Sequence, residues 1–281
     1  MKREDANEVT SEAQSEVTSE VVEGTAWITI NRPAKLNALS STVVVEMRRL
    51  IQQFNDDGAV RVIVIQGAGK AFSVGYDIAE EVAAGIERAE DWHAALTRNV
   101  DLSMTVWASH KPTIAAVDGW CLAGACELAM ACDIVIATDR SQFGEPEIRF
   151  GSGPVTILMP FLIGQKKTNE LLLTGDVIGA EEAERIGLIN RVVAPGELHA
   201  SVEKLAKKLA LTPPITLKLT KIALTRAYEA MGLRQAVNAN LDVAATLNSA
   251  YSPEKAEFAQ RVKQDGLRSA LDWRDTRYGK L

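Results

Sequence analysis

The chain has 281 residues, a formal net charge of −6, 47% hydrophobic and 24% charged residues. That is long enough to bury a sizeable core, as one large domain or a core with an appendage, and no uncharged apolar run reaches the ~18–20 residues that cross a bilayer. The acidic balance argues against a general polyanion surface, so nucleic acid is not an expected partner, while a local basic pocket for one phosphorylated ligand stays open.

The first twenty residues, "MKREDANEVTSEAQSEVTSE", are rich in Ser, Thr and Glu and lack the apolar stretch of a secretory signal. They read as a disordered cytosolic tail over 1–20. From Val21 onward, short β-branched runs alternate with helical patterns. "AWITIN" (26–31), "RVIVIQG" (61–67), "TIAAVDG" (113–119) and "DIVIAT" (133–138) are predicted strands covered on both faces. "SSTVVVEMRRLIQQFNDD" and "EDWHAALTRNVDLSMTVWAS" lie between them with apolar residues at helical spacing. The alternation predicts an α/β core with largely parallel strands. After about Val193 the strands stop, and four amphipathic helices bounded by Pro or Gly are predicted. Such a tail can fold back on the core or pack on a neighbouring subunit.

Cys121, Cys126 and Cys132 crowd into one apolar segment at a spacing that fits neither a zinc site nor a disulfide framework, and read as small core residues in a reducing compartment. No metal ligand set is expected.

The stretch "GAGKAFSVGYDIAEE" (67–81) admits three readings. A P-loop fails because Val64 stands at the first Gly position and Ala71 follows Lys70. A dinucleotide fingerprint fails at Phe72. A hydrolase elbow around Ser73 keeps Gly75 but has Ala71 at its first Gly, and His93, His110 and His199 carry no supporting motif; it remains an outside alternative. The third reading is a loop that offers backbone N–H groups.

"TIAAVDGWCLAGACELAMACDIVIA" (113–137) supports the third. It predicts a strand, a small-residue turn and a helix that begins near Ala123-Gly124, where unpaired N–H groups can face an anion. Glu127 lies within that helix among Cys126, Leu128, Ala129 and Met130, so its carboxyl pKa should rise unless something compensates. In "SQFGEPEIRFG" (141–151), Glu145 and Glu147 flank Pro146. One is expected to be a solvated surface charge and the other to face Glu127 and complete an acid/base pair.

"NRPAKLNALS" (31–40), "KAFSVGYDI" (70–78), "DGWCLAGACELAMACDIVIA" (118–137), "FGEPEI" (143–148) and "LTGDVIGAEEAERIGLINRVV" (173–193) resemble, in order and spacing, the signature segments of the crotonase superfamily of enoyl-CoA hydratases and isomerases. The resemblance implies a ββα spiral core over 21–195 and a C-terminal helical region over 196–281 that builds trimers or dimers of trimers. It also implies an acyl-CoA substrate and no further cofactor, while the N-terminal composition and the cysteines lead to the expectation of a cytoplasmic enzyme. By the same resemblance the Tyr76 and Gly124 N–H groups would form an oxyanion hole, and Glu127 and Glu147 would hold the water that adds to the double bond. Lys35, Leu36 and Ala38 would lie near the adenine and phosphates of CoA, and Val74, Asp77 and Ile78 beside its pantetheine. The presence of Glu127, and of Val155 where dienoyl isomerases carry an aspartate, favours hydration over isomerisation; a dehydratase, a thioester hydrolase and a non-catalytic CoA-binding scaffold are the other readings. Three features depart from the family pattern. "IRFGSGPVTILMPFLIG" lacks the usual glycine-rich turn, Tyr76 replaces a small residue, and Trp273 stands where a phosphate-binding lysine is usual, with Arg274 beside it as a substitute.

Overall fold

The computed structural model describes residues 15–279. Strand β1 (Val17–Val22) pairs antiparallel with β2 (Thr25–Ile30) across Glu23 and Gly24, both at positive φ, which suits the twist of a tight hairpin. The tail expected over 1–20 is therefore corrected at its end: Val17–Glu20 are strand, held by pairing with Trp27–Ile30, while 1–14 lie outside the described residues. Helix α1 (Ser41–Asp56) starts where the Val43 N–H donates to Ser40 Oγ at 3.2 Å.

A pattern then repeats. Strand β3 (Val62–Gly67) joins one sheet and β4 (Ala71–Ser73) another, followed by α2 (Ile78–Ala84) and α3 (Ala89–Trp107). Strands β5 (Thr113–Val117) and β6 (Trp120–Leu122) divide in the same way before α4 (Gly124–Ala131). Strands β7 (Ile134–Thr138) and β8 (Gln142–Gly144) do so again before a 3₁₀ turn at Pro146–Phe150. Helices α5 (Met159–Ile163) and α6 (Gln165–Thr174), strand β9 (Ile178–Gly179), helix α7 (Ala180–Arg185) and strand β10 (Arg191–Val193) complete the core. The large sheet runs β1-β2-β3-β5-β7-β10 and the small one β4-β6-β8-β9; only β1 and β9, each at an edge, pair antiparallel.

The apolar runs predicted to be covered on both faces are so covered. Ile63 and Ile65 point into the main core with Met47 and Phe72, whereas Val62, Val64, Ile114 and Ile136 pack against Val202 and Ala206. Those two belong to α8 (Leu198–Ala210), so a helix beyond the core seals the outer face of the large sheet.

The C-terminal region holds five helices among the described residues, not the four expected. After α9 (Pro214–Ala230) and α10 (Leu233–Ser249), the last predicted helix divides at Gly266, φ +84°, into α11 (Pro253–Asp265) and α12 (Leu267–Tyr278). Both fold back on their own core. Phe258 of α11 stacks on Phe150 with ring centroids 4.7 Å apart, and the Arg149 guanidinium lies 4.9 Å from the Tyr278 ring centre. The three cysteines are free and buried in the core.

Candidate active site

The parallel strands β4, β6 and β8 set the ends of three loops side by side. At the end of β6, Ala123 takes φ 55°, ψ −137°, a conformation that costs a non-glycine residue about 1–3 kcal/mol. Its N–H donates to Gly144 O at 2.8 Å, tying the turn to β8. Helix α4 then begins at Gly124, whose N–H is at the first position and has no intrahelical acceptor.

The loop after β4 lies against this helix end. A Cβ built at Gly75, φ +90°, would fall 2.5 Å from Ala123 Cβ and 3.2 Å from the Gly124 nitrogen, so only glycine lets the two backbones approach. Gly75 O accepts from the Leu39 N–H at 2.8 Å. In a trans peptide the following N–H, that of Tyr76, points away from Leu39. Gly75 thereby lets this loop close against the Gly124 nitrogen. A Cβ at Gly124 would lie 2.1 Å from Tyr76 Cε2, so the Tyr76 ring covers the α-carbon of Gly124. Its hydroxyl donates to Asn99 O at 3.2 Å, which fixes the ring on α3.

All of α4 is buried, Glu127 included at 0% exposure. Glu127 Oε1 accepts from the Val155 N–H at 2.5 Å and the Thr156 N–H at 2.7 Å, while Oε2 has no hydrogen-bond partner. The segment that lacks the glycine-rich turn therefore supplies the clamp on this carboxyl. Asn240 of α10 holds it in turn, donating to Pro154 O and Val155 O at 2.8 and 3.0 Å. Burial raises the Glu127 carboxyl above its ordinary value, against the lowering effect of the two N–H groups. Burial, and then the charge of Glu127, push Glu147 up to about 8. The two carboxyls therefore titrate as an interacting pair, the charge of Glu127 holding the proton on Glu147.

Glu145 corrects the expectation of one solvated charge. It is 3% exposed, with Oε2 unpaired, and burial followed by the charges of Glu127 and Glu147 raises it well above the usual carboxylate range. Glu147 is half-buried in the 3₁₀ turn, which packs against α11 and α12. Arg274 lies within electrostatic reach of Glu147 and lowers its pKa.

The raised carboxyls have a consequence for stability. Each binds its proton more tightly in the folded than in the unfolded chain, where a glutamate titrates near ~4.3. Their contribution is complete below that value and is lost as pH rises through the folded values, about 6 for Glu81 and about 8 for Glu147. The melting temperature should carry a downward component between pH 5 and 8.5, and Glu147→Gln should flatten it by at least ~2 °C. An unchanged slope in the variant, followed by calorimetry, would show that Glu147 does not titrate in this range.

The expected CoA-contacting positions lie along one seam. The Val74 N–H donates to Leu36 O at 3.2 Å and the Asp77 N–H to Leu39 O at 3.1 Å, joining 36–39 to 74–77 around buried Ala38. Lys35 is exposed, its ammonium 3.4 Å from Asp77 Oδ2. The Asp77 carboxylate is already engaged: it accepts from Arg32 Nη2 at 3.0 Å and caps α2 through the Glu80 N–H. Ile78 opens α2 and lines a cavity next to the segment that follows Glu147.

Ser73 is buried, and its Oγ accepts from the Gly75 N–H at 3.2 Å. Its histidine candidates are elsewhere: His199 stacks on Trp27 and His93 faces Asp242. Ser73→Ala should lose one hydrogen bond, about 1 kcal/mol of stability, and little activity. Labelling of Ser73 by a fluorophosphonate would revive the elbow. The clamp from Val155 and Thr156, the burial of Glu145 and the approach of Arg274 were not found from sequence; they are backbone or long-range contacts with no local signal. Among the described residues no cluster of His, Cys, Asp and Glu is arranged to hold a metal ion.

Comparison with known proteins agrees with this geometry. The enoyl-CoA hydratase/isomerase family model matches residues 20–263. A crotonyl-CoA hydratase from Syntrophomonas wolfei subsp. wolfei is 39% identical over 215 residues, 75% of this chain and 82% of that protein. A probable mitochondrial enoyl-CoA hydratase of Dictyostelium discoideum is 39% identical over 211 residues, 72% of each chain. The crystal structure of an enoyl-CoA hydratase/isomerase from Xanthobacter autotrophicus Py2 superposes with a TM-score of 0.91 at 40% identity, over 94% of this chain and 98% of that one. With a family match over most of its length and a fold shared with a solved member, the chain belongs to the enoyl-CoA hydratase/isomerase family.

Proposed function

We propose that the protein hydrates 2-enoyl-CoA thioesters to 3-hydroxyacyl-CoA. The observation that carries this is the buried Glu127 with the half-buried Glu147, whose carboxyl burial and the Glu127 charge push up to about 8, together with the Gly124 N–H that opens α4 without an intrahelical acceptor. In this reading the thioester oxygen lies between the Tyr76 and Gly124 N–H groups, which stabilise the charge that develops on it. Glu127, with one oxygen clamped and the other free, takes a proton from water as its oxygen bonds to C3. Glu147, the stronger holder of a proton, gives its proton to C2 as the enolate collapses. The proton gained by Glu127 returns to Glu147 before the next turnover, so the atoms of one water are added and nothing is oxidised or reduced.

CoA would run along the seam of Lys35, Leu36, Ala38 and Val74 to Asp77 and Ile78, meeting backbone at Asp77 because that carboxylate is engaged. The test is loss of the conjugated thioester absorbance across short, branched and aromatic enoyl-CoAs; no loss with any of them would sink the proposal.

A trimer or dimer of trimers fits the apolar side chains exposed on α9. Ile215, Leu219 and Leu224 of α9, and Met231 just beyond its end, are each more than half exposed, more than a free helix face should show. Sedimentation should give three or six copies, and a monomer at micromolar concentration would contradict it. Among the described residues no helix is long and apolar enough to cross a membrane, and the buried free cysteines fit a cytoplasmic setting.

A further inference from the structure

A cavity of about 230 Å³ adjoins the segment that carries Glu147. Its apolar walls include Ile78 of α2, Trp92 of α3, and the stacked pair Phe150 and Phe258. A dry apolar cavity of ~150 Å³ accommodates a benzene ring, so this one has room for a ring with a substituent. That is far more than the terminal methyl of a four-carbon chain would fill.

The wall is not wholly apolar, because Glu81 and Lys255 also face the cavity. The Lys255 ammonium lies 5.4 Å from the Trp92 ring centre and donates to Asn248 O, which leaves it further N–H donors. Glu81 and Lys255 feel each other's charge, yet no ion pair joins them among the described residues. The cavity therefore presents a cationic donor and a carboxylate acceptor together.

An alkyl or plain aryl tail would leave both groups desolvated and unmatched. A carboxylate tail would meet Lys255 but be repelled by Glu81. A hydroxyl satisfies both, accepting from the ammonium and donating to the carboxylate. We infer that this cavity receives the acyl tail and selects one that ends in a hydroxylated ring, with Glu81 and Lys255 as the specificity-determining residues. The inference rests on the acyl-CoA reading above.

The test uses thioesters saturated at C2–C3, which bind without being hydrated. Calorimetric titration of the full chain should show 3-(para-hydroxyphenyl)propanoyl-CoA binding about 10- to 100-fold more tightly than 3-phenylpropanoyl-CoA, the scale of a hydrogen bond to a charged group. In Lys255→Met the two affinities should come within about twofold of each other; because each comparison is made within one protein, general damage to the fold cancels. Equal affinities in the parent, tighter binding of the para-carboxy analogue, or no binding of any of the three would overturn the inference. A hydroxyl preference in a protein that hydrates none of the short, branched or aromatic enoyl-CoAs would support the cavity's selectivity while removing the hydratase reading.

Discussion

Gly124→Val should lower kcat for enoyl-CoA hydration by about 100- to 1,000-fold, the usual cost of one oxyanion donor. From sequence alone, the expected cause is a side chain that pushes the thioester oxygen away from the helix end. The structure assigns a different cause. A Cβ at position 124 meets the Tyr76 ring at 2.1 Å, and the backbone N–H of Tyr76 is the second proposed donor. The ring is fixed by Asn99 O, so the collision displaces the loop at 75–76 and disturbs both donors together. Gly124→Ala should be damaging for the same reason. Adding Tyr76→Ala to it removes the colliding ring and should restore at least about tenfold of the lost rate. A folded Gly124→Val protein, checked by near-ultraviolet circular dichroism, that turns over at close to the parent rate would remove the oxyanion-hole assignment.

Glu127→Gln and Glu147→Gln should each lower kcat by at least about 100-fold, the scale of a general acid or base, with acyl-CoA binding largely retained. The effects should not be additive, since the charge of one carboxyl acts on the other. The Glu147 carboxyl is pushed up to about 8 by burial and by the charge of Glu127, so in Glu127→Gln it should titrate lower than in the parent. Near-normal turnover in both variants would sink the hydratase assignment. Damage confined to Glu147→Gln would favour isomerisation, in which a single carboxyl moves the proton.

The parts of the site legible in the sequence were those encoded locally. Gly124 at a helix start, Glu127 among apolar neighbours and the β-branched runs of the large sheet each declare themselves within a few residues. What sequence did not show depends on segments that meet only in the fold. Of the two glutamates that flank Pro146, one is expected at the surface, yet Glu145 is buried and lies within reach of the charges of Glu127 and Glu147, a juxtaposition made only in the fold. The clamp on Glu127 is made by peptide N–H groups, which carry no residue signature. The four expected helices became five because Gly266 at positive φ interrupts an otherwise continuous polar pattern. Pairing with β2 likewise orders Val17–Glu20, whose Ser- and Glu-rich composition alone suggests disorder.

The most direct measurement is product analysis after incubation of the full chain with crotonyl-CoA in heavy water. The account predicts 3-hydroxybutanoyl-CoA with one deuterium at C2 and the solvent oxygen at C3, and loss of this product in Glu127→Gln. Free CoA would indicate thioester hydrolysis, and a shifted double bond with no added water would indicate isomerisation; either as the main product would contradict the proposed hydration.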